Sequence, residues 1–196
     1  MSPRGATLAI PPPSLTPALL TRFALVQLSH STRTDALSGI RFEHDGKPPK
    51  GSVVIVDMDG VISDASGRQH FLDGSNKDWW AFFEASVDDP PIPEVIGLVE
   101  RLTENRTIIL LTARPSGSAD TTLEWLDRHG VRWDLLAMRK DDDHASSPEV
   151  KRAILLELRG DGYEPVLAID DDPENLVMYR SEGVPTVYIH SGYYDT

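Results

Sequence analysis

The chain has 196 residues, 40% of them hydrophobic and 26% charged, which suits one well-cored domain plus an arm and is too short for two full domains. Its net charge of −12 is unevenly placed: residues 1–50 carry six Lys/Arg against three Asp/Glu, residues 51–196 carry 13 against 28. An acidic body of this kind argues against loose, salt-driven wrapping of nucleic acid, though a local basic groove remains compatible with it.

No stretch approaches the roughly 18–20 apolar residues of a membrane span. The proline triplet in MSPRGATLAIPPPSL interrupts the one short apolar run near the N-terminus, which argues against a secretory leader. Cysteine is absent, so disulfides and thiolate metal sites are excluded, and the expected location is the cytoplasm.

In chain order, residues 1–50 read as an arm or linker. Part of it is helical over Pro17–Leu28, where Leu19, Leu20, Phe23, Ala24 and Leu28 make an apolar stripe. Such an arm could pack on the domain, join an oligomer or contact a partner, and its basic charge makes contact with nucleic acid the alternative. From residue 51 short β-rich runs alternate with amphipathic helices. VVIVD (residues 53–57) and TIILLT (107–112) are continuous apolar runs, as strands buried on both faces should be. A helix over 94–105 follows Pro93, and another over 118–129 is closed by Gly130. A short strand is expected over 133–138, a helix over 148–159, a strand over 166–170, a helix over 173–182 and a strand over 186–189. This alternation predicts an α/β domain, a three-layer parallel sheet with helices on both faces.

Three of the strands end in polar residues: Asp57, Thr112 and Asp170. Ligands of open parallel sheets bind beyond the carboxyl ends of the strands, so these separate pieces converge on one crevice. In DMDGV (57–61), Asp57 and Asp59 lie two positions apart straight after a buried strand, and Gly60 permits the turn. Glycine is fourth there, where a calcium loop needs it sixth. In AIDDDPENL (168–176), Asp170 and Asp171 form a second acidic pair, while Asp172 and Pro173 read as the start of a helix. Clustered carboxylates repel unless a cation offsets them, and hard oxygen donors suit magnesium. A solvated acidic turn is the plainer alternative for either piece alone. Thr112 and Lys151 could bond and neutralise a phosphoryl group, although each alone reads as an ordinary surface residue.

With these four pieces in order, residues 51–196 resemble the haloacid dehalogenase superfamily. DMDGV is similar to its first motif, LLTAR to its second, Lys151 in PEVKRAI to its third and Asp170-Asp171 to its fourth. The closer resemblance is to the 3′-phosphatase domain of phage-type polynucleotide kinase–phosphatase. DMDGVISDASGR runs without a gap to Arg68, Arg114 follows Thr112 by two, MRKDDDH supplies Arg139 and Asp143, and the C-terminal stretch matches through to its final SG. Two departures stand out: ASSP (145–148) replaces an Arg and Asp that the family has before the lysine, and no GxxxxGK[ST] phosphate loop is present.

The resemblance implies an Mg2+-dependent phosphomonoesterase of the HAD-like fold. Asp57 would be the nucleophile and Asp59 the general acid and base, with Thr112 and Lys151 fixing the phosphoryl group. Arg68, Arg114 and Arg139 would engage the substrate. Asp57, Asp59 (through its carbonyl) and Asp170 or Asp171 would hold the metal. The substrate would be a phosphorylated nucleic-acid 3′ end or nucleotide. The alternatives are a general small-molecule phosphatase of the same superfamily and a non-catalytic relative that binds through its arm. Thirty-eight residues between Thr112 and Lys151 leave no room for a large cap. A small lid could lie between Gly60 and Pro93, carrying WWAFF (79–83), whose Trp79, Phe82 and Phe83 are spaced for packing, with stacking on substrate bases as the alternative.

Overall fold

The computed structural model describes residues 31–195, so the helix expected over Pro17–Leu28 lies outside the described residues. Seven strands form one sheet in the order β1-β2-β5-β4-β3-β6-β7. They are β1 (Ser31–Asp35), β2 (Ile40–His44), β3 (Gly51–Val56), β4 (Thr107–Pro115), β5 (Leu135–Arg139), β6 (Tyr163–Asp170) and β7 (Thr186–Tyr188). Strands β3 to β7 pair in parallel, as their uninterrupted apolar runs require, and β1 and β2 add an antiparallel hairpin at the β5 edge.

The α-helices among the described residues are α1 (Trp79–Glu84), α2 (Pro93–Thr103), α3 (Ala119–Arg128), α4 (Ser147–Gly160) and α5 (Pro173–Ser181). Side chains alternate across each strand, so the sheet builds two cores. On one face Val54, Val56, Ile108, Leu110 and Leu136 meet Val95 and Val99 of α2 and Trp125 and Leu126 of α3. On the other, Val53, Ile55, Ile109 and Leu111 meet Val150, Ile154, Leu155 and Leu158 of α4 and Met178 and Tyr179 of α5. The chain steps from β3 to β4 to β5 with helices on the first face. It then returns to β6 and β7 with helices on the second. The direction reverses between β3 and β6, and a crevice opens at the carboxyl ends of those two strands.

One boundary needs correcting. The composition break at residue 50 is not the edge of the folded sheet, because residues 31–44 are the β1–β2 hairpin. β2 pairs with β5 from Ile40↔Met138 to Glu43↔Leu135, and Ile40 and Phe42 are buried in the first core. The arm reading failed there because STRTD and IRFEH are mostly polar, as befits an edge hairpin with one wet side. The hairpin turn is tied to the helical layer as well: the backbone N–H groups of Leu37 and Ser38 each donate to the Glu157 carboxylate at 2.8 Å. Deleting residues 1–50 would therefore strip two strands and bare β5. Phe42→Ala, which empties the hairpin's largest buried side chain, is expected to cost about 3–5 kcal/mol, read as a lower urea midpoint.

Candidate active site

Residue Val56 pairs with Ile169, which sets Asp57, just beyond β3, beside Asp170 at the end of β6. Lys151 reaches both from the second turn of α4. Its Nζ lies 3.0 Å from Asp57 Oδ1 and 2.8 Å from Asp170 Oδ2. All three side chains are buried, as is Asp171. Asp170 is fully bonded: its Oδ1 also accepts from the Asp172 backbone N–H at 3.0 Å and from Asn175 Nδ2 at 3.1 Å. Asp171 differs, since its Oδ2 is buried without a hydrogen-bond partner among the described residues. One oxygen each from Asp57, Asp170 and Asp171 fall within 4.8 Å of one another.

Three carboxylates around one ammonium leave negative charge in excess. Burial first, and then the neighbouring carboxylates, push Asp57 well above the usual carboxylate range, against the pull of Lys151. Asp171 is raised to about 7, mainly by burial. Burial alone would lower Lys151, but Asp170 and Asp57 outweigh it and raise it further, so it stays charged. The unpartnered Asp171 oxygen, the oxygen-only donor set and the uncompensated charge all fit a hard divalent cation. Gly60, at φ +76°, carries the chain close past this cluster, and a Cβ there would run into the Asp171 carboxylate.

Asp59 faces a different environment. Arg114 Nε donates to both of its oxygens at 3.1 Å, and Arg68 Nη2 also bonds Oδ1. Burial would raise Asp59, yet the two guanidinium groups win and hold its carboxyl far below the usual range. Both arginines are enclosed, Arg68 2% and Arg114 0% exposed. Sequence alone assigned them to substrate; in the structure their partners are carboxylates. Behind them sits Asp89, whose carboxylate accepts from Arg68 Nε at 2.9 Å, from Arg68 Nη2 at 2.7 Å and from Ser63 Oγ at 2.6 Å. Thr112 is buried within β4, which runs three residues past the end expected at 112, and its Oγ1 accepts from the Arg114 backbone N–H at 3.1 Å. Its own hydroxyl proton remains able to donate.

Arg139, at the end of β5, is half-buried and donates to the Asp143 carbonyl at 3.4 Å. No hydrogen bond or ion pair joins it to the Asp57 cluster among the described residues. The ASSP departure has a structural role: Ser146 and Glu149 form a capping box at the start of α4, and Ser147 Oγ bonds Asn175 Oδ1 at 3.2 Å. Asn175 in turn holds Asp170, so this stretch links the helix carrying Lys151 to the acidic cluster. Asp172 caps α5 as expected, accepting from Glu174 N–H at 2.8 Å.

Sequence reasoning missed Asp89 and Asn175. Asp89 had no signal, being one acid in a DDPP turn. Asn175 could have been found, since a polar residue in the first turn of the helix after an acidic strand end faces back towards that end.

Residues 51–194 match the family model described as the polynucleotide kinase PNKP phosphatase domain. No curated protein sequence matches the chain. Among solved structures, a chain of the Pnkp1/Rnl/Hen1 RNA repair complex superposes with a TM-score of 0.61 at 23% identity, over 75% of this chain and 45% of that one. The class C acid phosphatase from Bacillus anthracis gives 0.56 at 14% identity, over 75% and 69%. A haloacid dehalogenase-like hydrolase from Streptococcus pneumoniae gives 0.51 at 14% identity, over 71% and 83%. The chain thus spans less than half the length of the RNA-repair protein it matches.

Fold and site together define a phosphatase of the haloacid dehalogenase type. Within that class the chain belongs to the family of PNKP phosphatase domains, by a match that covers residues 51–194. No helix among the described residues is long and apolar enough to cross a membrane.

Two outcomes follow. A group raised on folding stabilises the fold while protonated, so the contribution of Asp171 is complete at low pH and drains away as the pH rises from about 4 to about 7. Metal-free protein should therefore show a falling Tm across that window, and millimolar Mg2+ should flatten the slope, read by differential scanning calorimetry. Asp89→Ala should cost about 3–5 kcal/mol in denaturant melts, because it leaves the buried Arg68 guanidinium short of a partner.

Proposed function

We propose that this domain hydrolyses phosphomonoesters through an aspartyl-phosphate on Asp57, with Mg2+ as cofactor and the 3′-phosphate end of a nucleic acid or nucleotide as substrate. The observation that carries the reading is the pair of opposed carboxylates. Asp57 lies against Lys151 in the acidic cluster, and Asp59, two residues on, is held by Arg68 and Arg114. One site thus gives two carboxyl groups contrary environments, the pattern by which acid–base and nucleophilic tasks are divided.

A bound Mg2+ would be held by Asp57, Asp171, Asp170 and the backbone of Asp59, and it supplies the positive charge that keeps Asp57 ionised and offsets the phosphoryl oxygens. Asp57 attacks phosphorus and the ester P–O bond breaks, the leaving oxygen taking a proton from Asp59. Water then attacks the aspartyl-phosphate, giving its proton back to Asp59 and releasing inorganic phosphate. The Thr112 hydroxyl and the Lys151 ammonium hold the phosphoryl oxygens throughout. In the resting protein Asp59 is a carboxylate, which suits the second half-reaction. Taking up a proton for the first half requires that Arg68 and Arg114 be shared with an arriving phosphate, whose charge raises the Asp59 pKa in the same stroke. The arginines so act on substrate through Asp59 before they act on it directly. Arg139, further along the sheet edge, would meet the part of the substrate beyond the phosphate.

The acidic body favours one competing reading, a phosphatase of small esters, because a long polyanion is repelled where a small one can enter. Phosphate release from a panel decides between them: 3′- and 5′-phosphorylated oligonucleotides, 3′- and 5′-mononucleotides and para-nitrophenyl phosphate, each with and without Mg2+. The expected result is Mg2+-dependent release from the 3′-phosphorylated oligonucleotide and the 3′-mononucleotide. Asp57→Asn should lower kcat by at least about a thousandfold. Broad turnover of small esters with no preference for 3′ ends would select the competing reading.

A further inference from the structure

We infer that Trp79 and Trp80 form a stacking platform for the terminal unpaired base of a 3′-phosphorylated strand, an inference that rests on the polynucleotide-end reading above. The chain has four tryptophans. Trp125 and Trp133 are core residues, whereas Trp79 is 49% exposed and Trp80 is 70% exposed, on consecutive positions of one short helix. The apolar demand of α1 is met by Phe82, which is buried, so packing accounts for Phe82, accounts for Trp79 only in part, and leaves Trp80 unexplained. Trp79 rests partly on its neighbours, stacked on Phe83 with centroids 6.0 Å apart and edge-on to Phe82 at 5.8 Å. Trp80 has no aromatic partner among the described residues.

The platform is anchored to the reaction centre. Asp78 caps α1 through the Ala81 N–H at 3.0 Å, and its own N–H donates to the Phe71 carbonyl at 2.8 Å. The Arg68 guanidinium lies 4.1 Å from the centre of the Phe82 ring and donates to the Phe82 carbonyl at 3.2 Å. That same guanidinium holds Asp59. The Trp79 ring is therefore joined by three side-chain contacts, through Phe82 and Arg68, to the carboxylate proposed to protonate the leaving oxygen. Charge agrees with the placement: in a strongly acidic body, the Lys77 ammonium lies 5.7 Å from the centre of the Trp79 ring, where the phosphodiester beside a stacked base would pass. Aromatic faces paired with a cation are how proteins hold single strands without reading their sequence. A phosphatase of small esters would have no use for either.

The test uses the full chain. Trp79→Ala and Trp80→Ala are assayed for kcat and KM on a 3′-phosphorylated oligothymidylate, on the same strand with an abasic 3′ nucleotide, and on para-nitrophenyl phosphate. The ratio of kcat/KM for the base-bearing strand to that for para-nitrophenyl phosphate should fall about tenfold for each variant, through KM, with Trp80→Phe restoring most of it. The abasic strand should already be as poor for the unsubstituted protein. In an Asp57→Asn background, the base-bearing strand should quench tryptophan emission, and Trp80→Ala should remove most of that quenching. An unchanged ratio overturns the platform, as does a parallel fall on all substrates, which would mean that the helix only supports Arg68. So does a change in sedimentation on Trp80→Ala, which would make the patch a contact between copies. If the unsubstituted protein turns over para-nitrophenyl phosphate and refuses 3′-phosphorylated strands, the polynucleotide reading itself has failed; if it accepts them and the variants do so equally well, only the platform has.

Discussion

A single ammonium group inside a cluster of three buried carboxylates organises this molecule. Lys151 bonds Asp57 at the end of β3 and Asp170 at the end of β6, and so bridges the two strands between which the direction of chain travel reverses. Burying a charge is costly unless it is paired and bonded, and the cluster is paired only in part. The charge it leaves uncompensated, on Asp57 and at the unpartnered oxygen of Asp171, is of the kind that a hard divalent cation would offset. Much of the surrounding architecture serves to hold this arrangement. The capping box of Ser146 and Glu149 starts the helix that presents Lys151, and Asn175 turns back from α5 to hold Asp170.

Asp59 shows how two neighbouring acids can be given opposite properties. Both it and Asp57 are largely removed from water, and desolvation raises each of them. The outcome differs because Asp57 shares one lysine with two other acids, while Asp59 has two arginines, both enclosed by the fold. Those arginines are kept in place from behind by Asp89, which also engages Ser63. A buried ion network of this sort contributes little net stability compared with apolar packing, and its value is in fixing geometry. The same Arg68 also lies against the Phe82 ring, so one guanidinium touches both Asp59 and the small aromatic helix.

The β1–β2 hairpin sits outside the stretch that matches the family model, yet it is built into the sheet. Its antiparallel pairing with β5 covers an edge that the parallel core would otherwise leave open. Because β2 runs against β5, the hairpin turn at Leu37 and Ser38 falls at the carboxyl end of the sheet, on the side where the acidic cluster lies. Lys140 reaches across to the Leu37 carbonyl at 2.7 Å and joins the turn to the loop after β5.

The elements of the parallel core were legible residue by residue, because strands such as VVIVD and TIILLT are buried on both faces and have no room for polar side chains. The acids at their ends were legible for the complementary reason: a carboxylate straight after such a run must have a partner or a purpose. The acids Asp57, Asp170 and Asp171 could thus be brought together from spacing and topology, whereas Lys151 alone read as an ordinary surface residue and took its place only through the family resemblance. The hairpin escaped notice because an edge strand with one wet side reads like a polar linker. The carboxylate partners of Arg68 and Arg114 escaped it because an arginine advertises only that it will bind an anion, not which one. Pattern and periodicity report what each segment buries. Which charges meet inside the fold depends on contacts between residues far apart in the chain, such as Arg114 with Asp59 or Asp89 with Arg68, and only the tertiary structure decides those.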